Sequence, residues 1–159
     1  MGKIIREKHH RLEEEFYRGC KIVSFTVCVK NRATFFVAED RFRRCELLLL
    51  EALKEFESEA EVYVFMPEHA HLLLRGKNET SDVLKAVKSF KQRTGFWLYQ
   101  NHLSVRWQKD FYDHILRKEE EVAKHIRYIL NNPVRANLVE GWKEYPFKGS
   151  TIHNLNEWN

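Results

Sequence analysis

A chain of 159 residues, 43% of them hydrophobic, is the size of one domain and can bury a continuous core without disulfides or a structural metal. No apolar run reaches the roughly 18 to 20 residues of a membrane span, and the charged start MGKIIREKHHRLEEE lacks a signal peptide's apolar stretch, so a cytoplasmic protein is expected. The formal charge of +4, from 27 basic and 23 acidic residues, permits nucleic-acid binding without demanding it.

Basic residues cluster in Lys3 to Arg11, Arg41 to Arg44, Lys85 to Arg93 and Arg106 to Lys109, often beside aromatics. Cys20, Cys28 and Cys45 show no CxxC spacing and read as reduced structural thiols, not as a disulfide framework or zinc site.

From Ile22 to Val29 the sequence alternates, with Val23, Phe25, Val27 and Val29 on one face and Ser24, Thr26 and Cys28 on the other, which predicts a first strand. Asp40 is placed to cap a helix whose stripe is Phe42, Cys45, Leu49, Leu53 and Phe56, ending near Ser58. Strands at Glu61 to Met66 and Ala70 to Arg75, separated by Pro67-Glu68-His69, predict a hairpin. Thr80 or Ser81 opens a second helix that buries Val83, Val87 and Phe90 and exposes Lys85, Lys88 and Gln92. A short strand, Tyr112 to Leu116, precedes a third helix from Glu119 to Asn132, stopped by Pro133.

The order β-α-β-β-α-β-α predicts an α+β fold, a two-layer ferredoxin-like sandwich with helices packed on an antiparallel sheet. Residues 1–159 form a single domain in this reading, with a basic arm over 1–20 and a tail over 150–159.

In an extended strand His69 and His71 point to the same side, so two imidazoles can share one cation or serve as two hydrogen-bonded core histidines. On the third helix Val122, Ala123, Ile126, Ile129 and Leu130 form the apolar stripe, while Tyr128 lies opposite with Glu121, His125 and Asn132. Tyr128 and Asn132 are neighbours one turn apart. An asparagine before Pro133 also reads as a helix terminator.

Three blocks, Phe65 to Leu74 (FMPEHAHLLL), Trp107 to Arg117 (WQKDFYDHILR) and Tyr128 to Val139 (YILNNPVRANLV), resemble in order and spacing the REP-associated tyrosine transposases of the single-tyrosine HUH superfamily. The resemblance runs from about Cys20 to Ser150 and includes the closing Glu144-Tyr145-Pro146-Phe147.

It implies that His69, His71 and Asn132 are ligands of a divalent metal, Mg²⁺ or Mn²⁺, and that Tyr128 is the catalytic nucleophile. The expected activity is nicking and transfer of single-stranded hairpin DNA from palindromic repeats through a 5′-phosphotyrosine intermediate. A cation offsets the charge of a phosphodiester, and two imidazoles plus an amide oxygen leave that cation its full charge and open positions.

Phenols ionise near pH 10 and need activation, for which Lys124, one turn before Tyr128, is a weak candidate. Lys85, Lys88, Lys91 and Arg93 are candidate DNA contacts, joined through the resemblance by Arg32. His114 is given a structural role or a place near the site. Glu68 occupies a variable position where a carboxylate adds to the metal shell, and Asn131 competes with Asn132 as ligand. A homodimer and a monomer both fit. The competing readings are a non-catalytic nucleic-acid-binding module derived from a transposase and a small hydrolase that activates water.

Overall fold

The computed structural model describes residues 13–102 and 104–159. The basic stretch Lys3 to Arg11, with His9 and His10, lies outside the described residues. Five strands form one sheet: β1 (Ile22–Cys28), β2 (Ser58–Met66), β3 (His69–Gly76), β4 (Tyr112–Leu116) and β5 (Lys148–Gly149). Their order is β4-β1-β3-β2-β5, and every neighbouring pair is antiparallel. The first four follow the ferredoxin-like order, so the predicted α+β sandwich is borne out.

Helices α1 (Glu39–Glu55) and α2 (Val83–Asn101) cover one face, where Phe25, Phe65, Leu72 and Leu74 pack with Phe42, Leu49, Val87 and Phe90. Helix α3 (Glu119–Leu130) covers part of the other face, where Val62, Val64, Met66 and Leu73 meet Val122, Ile126, Ile129 and Leu130. The alternation read in β1 holds: Val23, Phe25 and Val27 belong to the first core, while Ser24, Thr26 and Cys28 face α3.

Several boundaries move, each for a local reason. Strand β1 stops at Cys28 because Val29 forms only an isolated bridge to Trp107. Helix α1 is entered through Ala38 without a side-chain cap, and Asp40 sits in its first turn beside Glu39, where the helix dipole favours acid. The cap of α2 is Asp82, which accepts from the Lys85 amide at 2.9 Å, whereas the hydroxyl of Ser81 accepts from the amides of Lys77 and Asn78. The hairpin turn is the two residues Pro67 and Glu68, so His69 is already paired with Met66.

Helix α3 ends at Leu130, yet Pro133 does not stop the chain. It lies in the first turn of a further short helix, α4 (Asn132–Arg135), where its missing amide hydrogen has no helical partner to lose.

Strand β5 escaped the sequence reading because two residues carry no periodicity. Gly149 is required there: a Cβ would lie 2.3 Å from the Tyr63 hydroxyl of the neighbouring strand. The segment after it is docked, with Thr151 bonded to Ala60 and His153 to Glu61 at 3.0 Å. At the other end, Tyr17 is fully buried and donates to Asp113 at 2.8 Å, so the presumed arm is anchored before residue 20. The three cysteines are unpaired. Among the described residues no helix is long and apolar enough to cross a membrane.

Candidate active site

Strand β3 lies between β1 and β2, which places His69 opposite Cys28 and Met66, and His71 opposite Thr26 and Val64. Both imidazoles project to the α3 face, and their Nε2 atoms approach to 3.0 Å. The remaining ring nitrogens are engaged. Glu68 Oε1 lies 3.0 Å from His69 Nδ1, and Thr26 Oγ1 lies 3.2 Å from His71 Nδ1. A carboxylate on Nδ1 holds the proton there and leaves Nε2 its lone pair. The facing Nε2 atoms then need either a shared proton or a cation between them.

Two nitrogens each about 2.1 Å from a cation and at right angles to one another would stand about 3.0 Å apart, the separation found here. Burial lowers the proton affinity of His69 and, reinforced by the neighbouring charges of His69, His125, Arg135 and Arg32, pushes His71 down to about 3. Neutral imidazoles are the form a metal requires. The donor set therefore fits a divalent cation.

A third polar side chain reaches the pair from the end of α3. Asn132 brings its amide to 3.5 Å from His69 Nε2, and a half-turn of that amide would present Oδ1 in place of Nδ2. Asn131 faces elsewhere, its side chain donating to the Arg127 carbonyl at 2.8 Å as a helix-end cap.

One turn before Asn132, Tyr128 is 44% exposed, as its position opposite the apolar stripe predicts. Its ring stacks on His125 with centroids 6.1 Å apart, and His125 Nε2 in turn lies 2.8 Å from Ser24 Oγ. Tyr128 borders a groove of about 640 Å³ between β4 and α3 that His114, Arg117, Lys124 and His125 also line. His114 thus stands near the tyrosine, its ring 6.2 Å from that of His125.

Arg135 was not singled out by the sequence reading, although it closes the Asn-Pro-Val-Arg run. Its guanidinium sits 3.8 Å from the Tyr128 ring centroid and donates to the Tyr128 carbonyl at 2.7 Å. The signal was there in principle: a short helix starting at Asn132 returns position 135 toward 128, but only once the break at Asn131 is known.

The candidate DNA contacts separate. Arg32 stands at the site, 3.5 Å from Glu68 Oε1, and donates to Cys28 Sγ at 3.0 Å. Lys85, Lys88, Lys91 and Arg93 ride on α2, across the sheet from the histidines. Arg93 pairs with Glu51 and Glu55, Lys88 with Glu14, and Lys91 donates to the carbonyls of Gln108 and Lys109.

A solved structure of a REP-associated tyrosine transposase bound to a REP hairpin superposes with a TM-score of 0.72, at 23% identity over 86% of this chain and 79% of the other. The REP-associated tyrosine transposase of Escherichia coli K12 is 28% identical over 138 residues, 79% of each chain. Residues 18–132, which carry the histidine pair, the tyrosine and the asparagine, match the IS200-like transposases, and the chain belongs to that family.

Proposed function

We propose that this transposase-family protein nicks single-stranded hairpin DNA with Tyr128 as nucleophile and holds the 5′ end as a phosphotyrosine for transfer. The observation that carries the reading is the convergence of two imidazoles, 3.0 Å apart and largely shielded from solvent, with the Asn132 amide just past the end of the helix that presents Tyr128. Membership in the transposase family and the hairpin complex of the structurally similar protein support it.

Bound by His69, His71 and Asn132, a divalent ion, Mg²⁺ or Mn²⁺, would supply positive charge for the phosphodiester and the leaving 3′ oxygen. Glu68 and Thr26 hold the imidazole rings in orientation through their Nδ1 atoms. The Tyr128 hydroxyl oxygen attacks phosphorus, its proton passes to solvent or a neighbouring base, and the 3′ oxygen departs. Arg135 lies over the Tyr128 ring and donates to the Tyr128 carbonyl, which fixes the ring and the backbone that carries it. Rejoining reverses the attack, with a 3′ hydroxyl displacing Tyr128. The reaction belongs in the cytoplasm, where its DNA would be.

The test is incubation of the protein with labelled hairpins in Mn²⁺, followed by denaturing electrophoresis and mass analysis. A covalent adduct on Tyr128, absent from Tyr128→Phe and with chelator, is the expected result. Cleavage that survives Tyr128→Phe would assign the site to a water-activating hydrolase, and binding without cleavage would assign it to a non-catalytic module.

A further inference from the structure

Helix α2 buries Val83, Val87, Phe90, Thr94 and Leu98 against the sheet. Its outer positions Lys85, Lys88, Gln92, Phe96 and Tyr99 recur at spacings of three and four, so they form one continuous exposed stripe. The stripe changes character along its length, from amine and amide to aromatic. Phe96 is 62% and Tyr99 is 67% exposed, and folding gains little from either ring.

Beside Tyr99 the end of α2 and the loop 104–109 enclose a groove of about 430 Å³, lined among others by Lys91, Gly95, Arg106, Trp107 and Lys109, with no carboxylate in its wall. Gly95 forms part of this wall. In a helix interior it costs about 1 kcal/mol relative to alanine, yet a Cβ there would meet nothing within 4 Å. Packing within the chain therefore does not call for the glycine, and its bare backbone leaves the wall open beside Tyr99. Hydrogen bonds connect the groove to the site: Lys91 ties the loop to α2, and the Gln108 amide donates at 2.8 Å to the carbonyl of Cys28, the strand partner of His69.

We propose that the aromatic end of this stripe and the 104–109 groove form a stacking site for unpaired bases of the single strand that flanks the hairpin stem. Rings take base faces, and Arg106, Lys109 and the lysines farther along α2 meet the phosphates. Positive charge without acid in the wall is the complement of a nucleic-acid strand. The inference rests on the single-stranded DNA reading above and places part of that strand at a surface distinct from the Tyr128 groove.

The experiment compares full-length protein with Phe96→Ala/Tyr99→Ala by fluorescence anisotropy at fixed salt, on a hairpin with a short single-stranded tail and on the same stem without it. The double variant should bind the tailed hairpin about ten- to hundredfold more weakly and the blunt stem equally well, with an unchanged Tm. Phe96→Trp/Tyr99→Phe should retain wild-type affinity. Equal binding of the tailed hairpin, or an equal loss on both DNAs, overturns the stacking site. So does a variant that converts a dimer to a monomer in sedimentation, which would make the stripe a contact between copies.

Tyr128 adduct formation, measured in parallel, separates the two readings. An adduct with no effect of the double variant removes the stacking site alone. Wild-type protein that neither binds hairpins nor forms an adduct removes both.

Discussion

On the α1/α2 face of the sheet, β1, β2 and β3 present Phe25, Phe65, Leu72 and Leu74 to helices that return Phe42, Leu49, Val87 and Phe90. One residue along each strand, the α3 face carries Ser24, Thr26, His69 and His71, polar groups held at low exposure by partners. Alternation lets a single strand serve both purposes. The aromatic face supplies the burial that holds β3 in place, so the opposite face can keep imidazoles in a geometry that folding alone would not favour.

The sharpest way to separate the faces is to remove the histidine pair that the proposed function makes the metal donors. His69→Ala/His71→Ala should lower strand cleavage at least a thousandfold, about 4 kcal/mol, and abolish Mn²⁺ binding in calorimetry. Its fold should survive, as judged by circular dichroism. On the other face Phe65→Ala should do the opposite. It is fully buried among Phe36, Phe42 and Phe90, and its loss should cost about 3 to 5 kcal/mol in urea unfolding with Mn²⁺ affinity retained in the folded fraction. A variant that behaved like its opposite number would break the division.

Between these lies Glu68, bonded to His69 Nδ1. Glu68→Gln should weaken Mn²⁺ binding about ten- to hundredfold without lowering the Tm by more than a few degrees. Unchanged affinity would remove its orienting role.

Acid should expose the polar face selectively. Burial depresses His125 as well as His69 and His71. Below about pH 6.5 the unfolded chain takes up protons that these buried rings refuse, so stability present above that pH declines as pH falls toward the folded values, about 3 for His71. In metal-free protein, His125→Gln should flatten the loss of stability between pH 6.5 and 5. An identical slope would show that the ring is not excluded from protonation.

The smallest effect belongs to the seam between α1 and α2. Arg93→Gln breaks pairs with Glu51 and Glu55 at 3.0 Å, but partly exposed pairs contribute under about 1 kcal/mol. A change of several kcal/mol in urea unfolding would show that the α1–α2 contact depends on charge.

Periodicity made most of this molecule legible. The alternation of β1, the stripe of α3 and the span of β4 appear in the structure as read, because each is set by burial on one face of a regular element. Helix entries were misplaced at Asp40 and at Thr80 or Ser81, since capping depends on which side chain turns back to the amides, a matter settled by the preceding loop. Asn131 and Asn132 could be ordered only by spacing until the break after Leu130 turned one toward its own helix and the other toward His69.

The sequence by itself determined the two-residue spacing of His69 and His71, the exposure of Tyr128 opposite an apolar stripe, and an antiparallel ferredoxin-like sheet, all consequences of local period. Only the tertiary structure decided that Asn132 meets His69, that Arg135 lies against Tyr128, that Arg32 reaches Glu68, and that the α2 cations lie across the sheet from the histidines. Those juxtapositions join residues distant in the chain or separated by a helix break, and their geometry is set by how elements pack, which no single element's pattern contains.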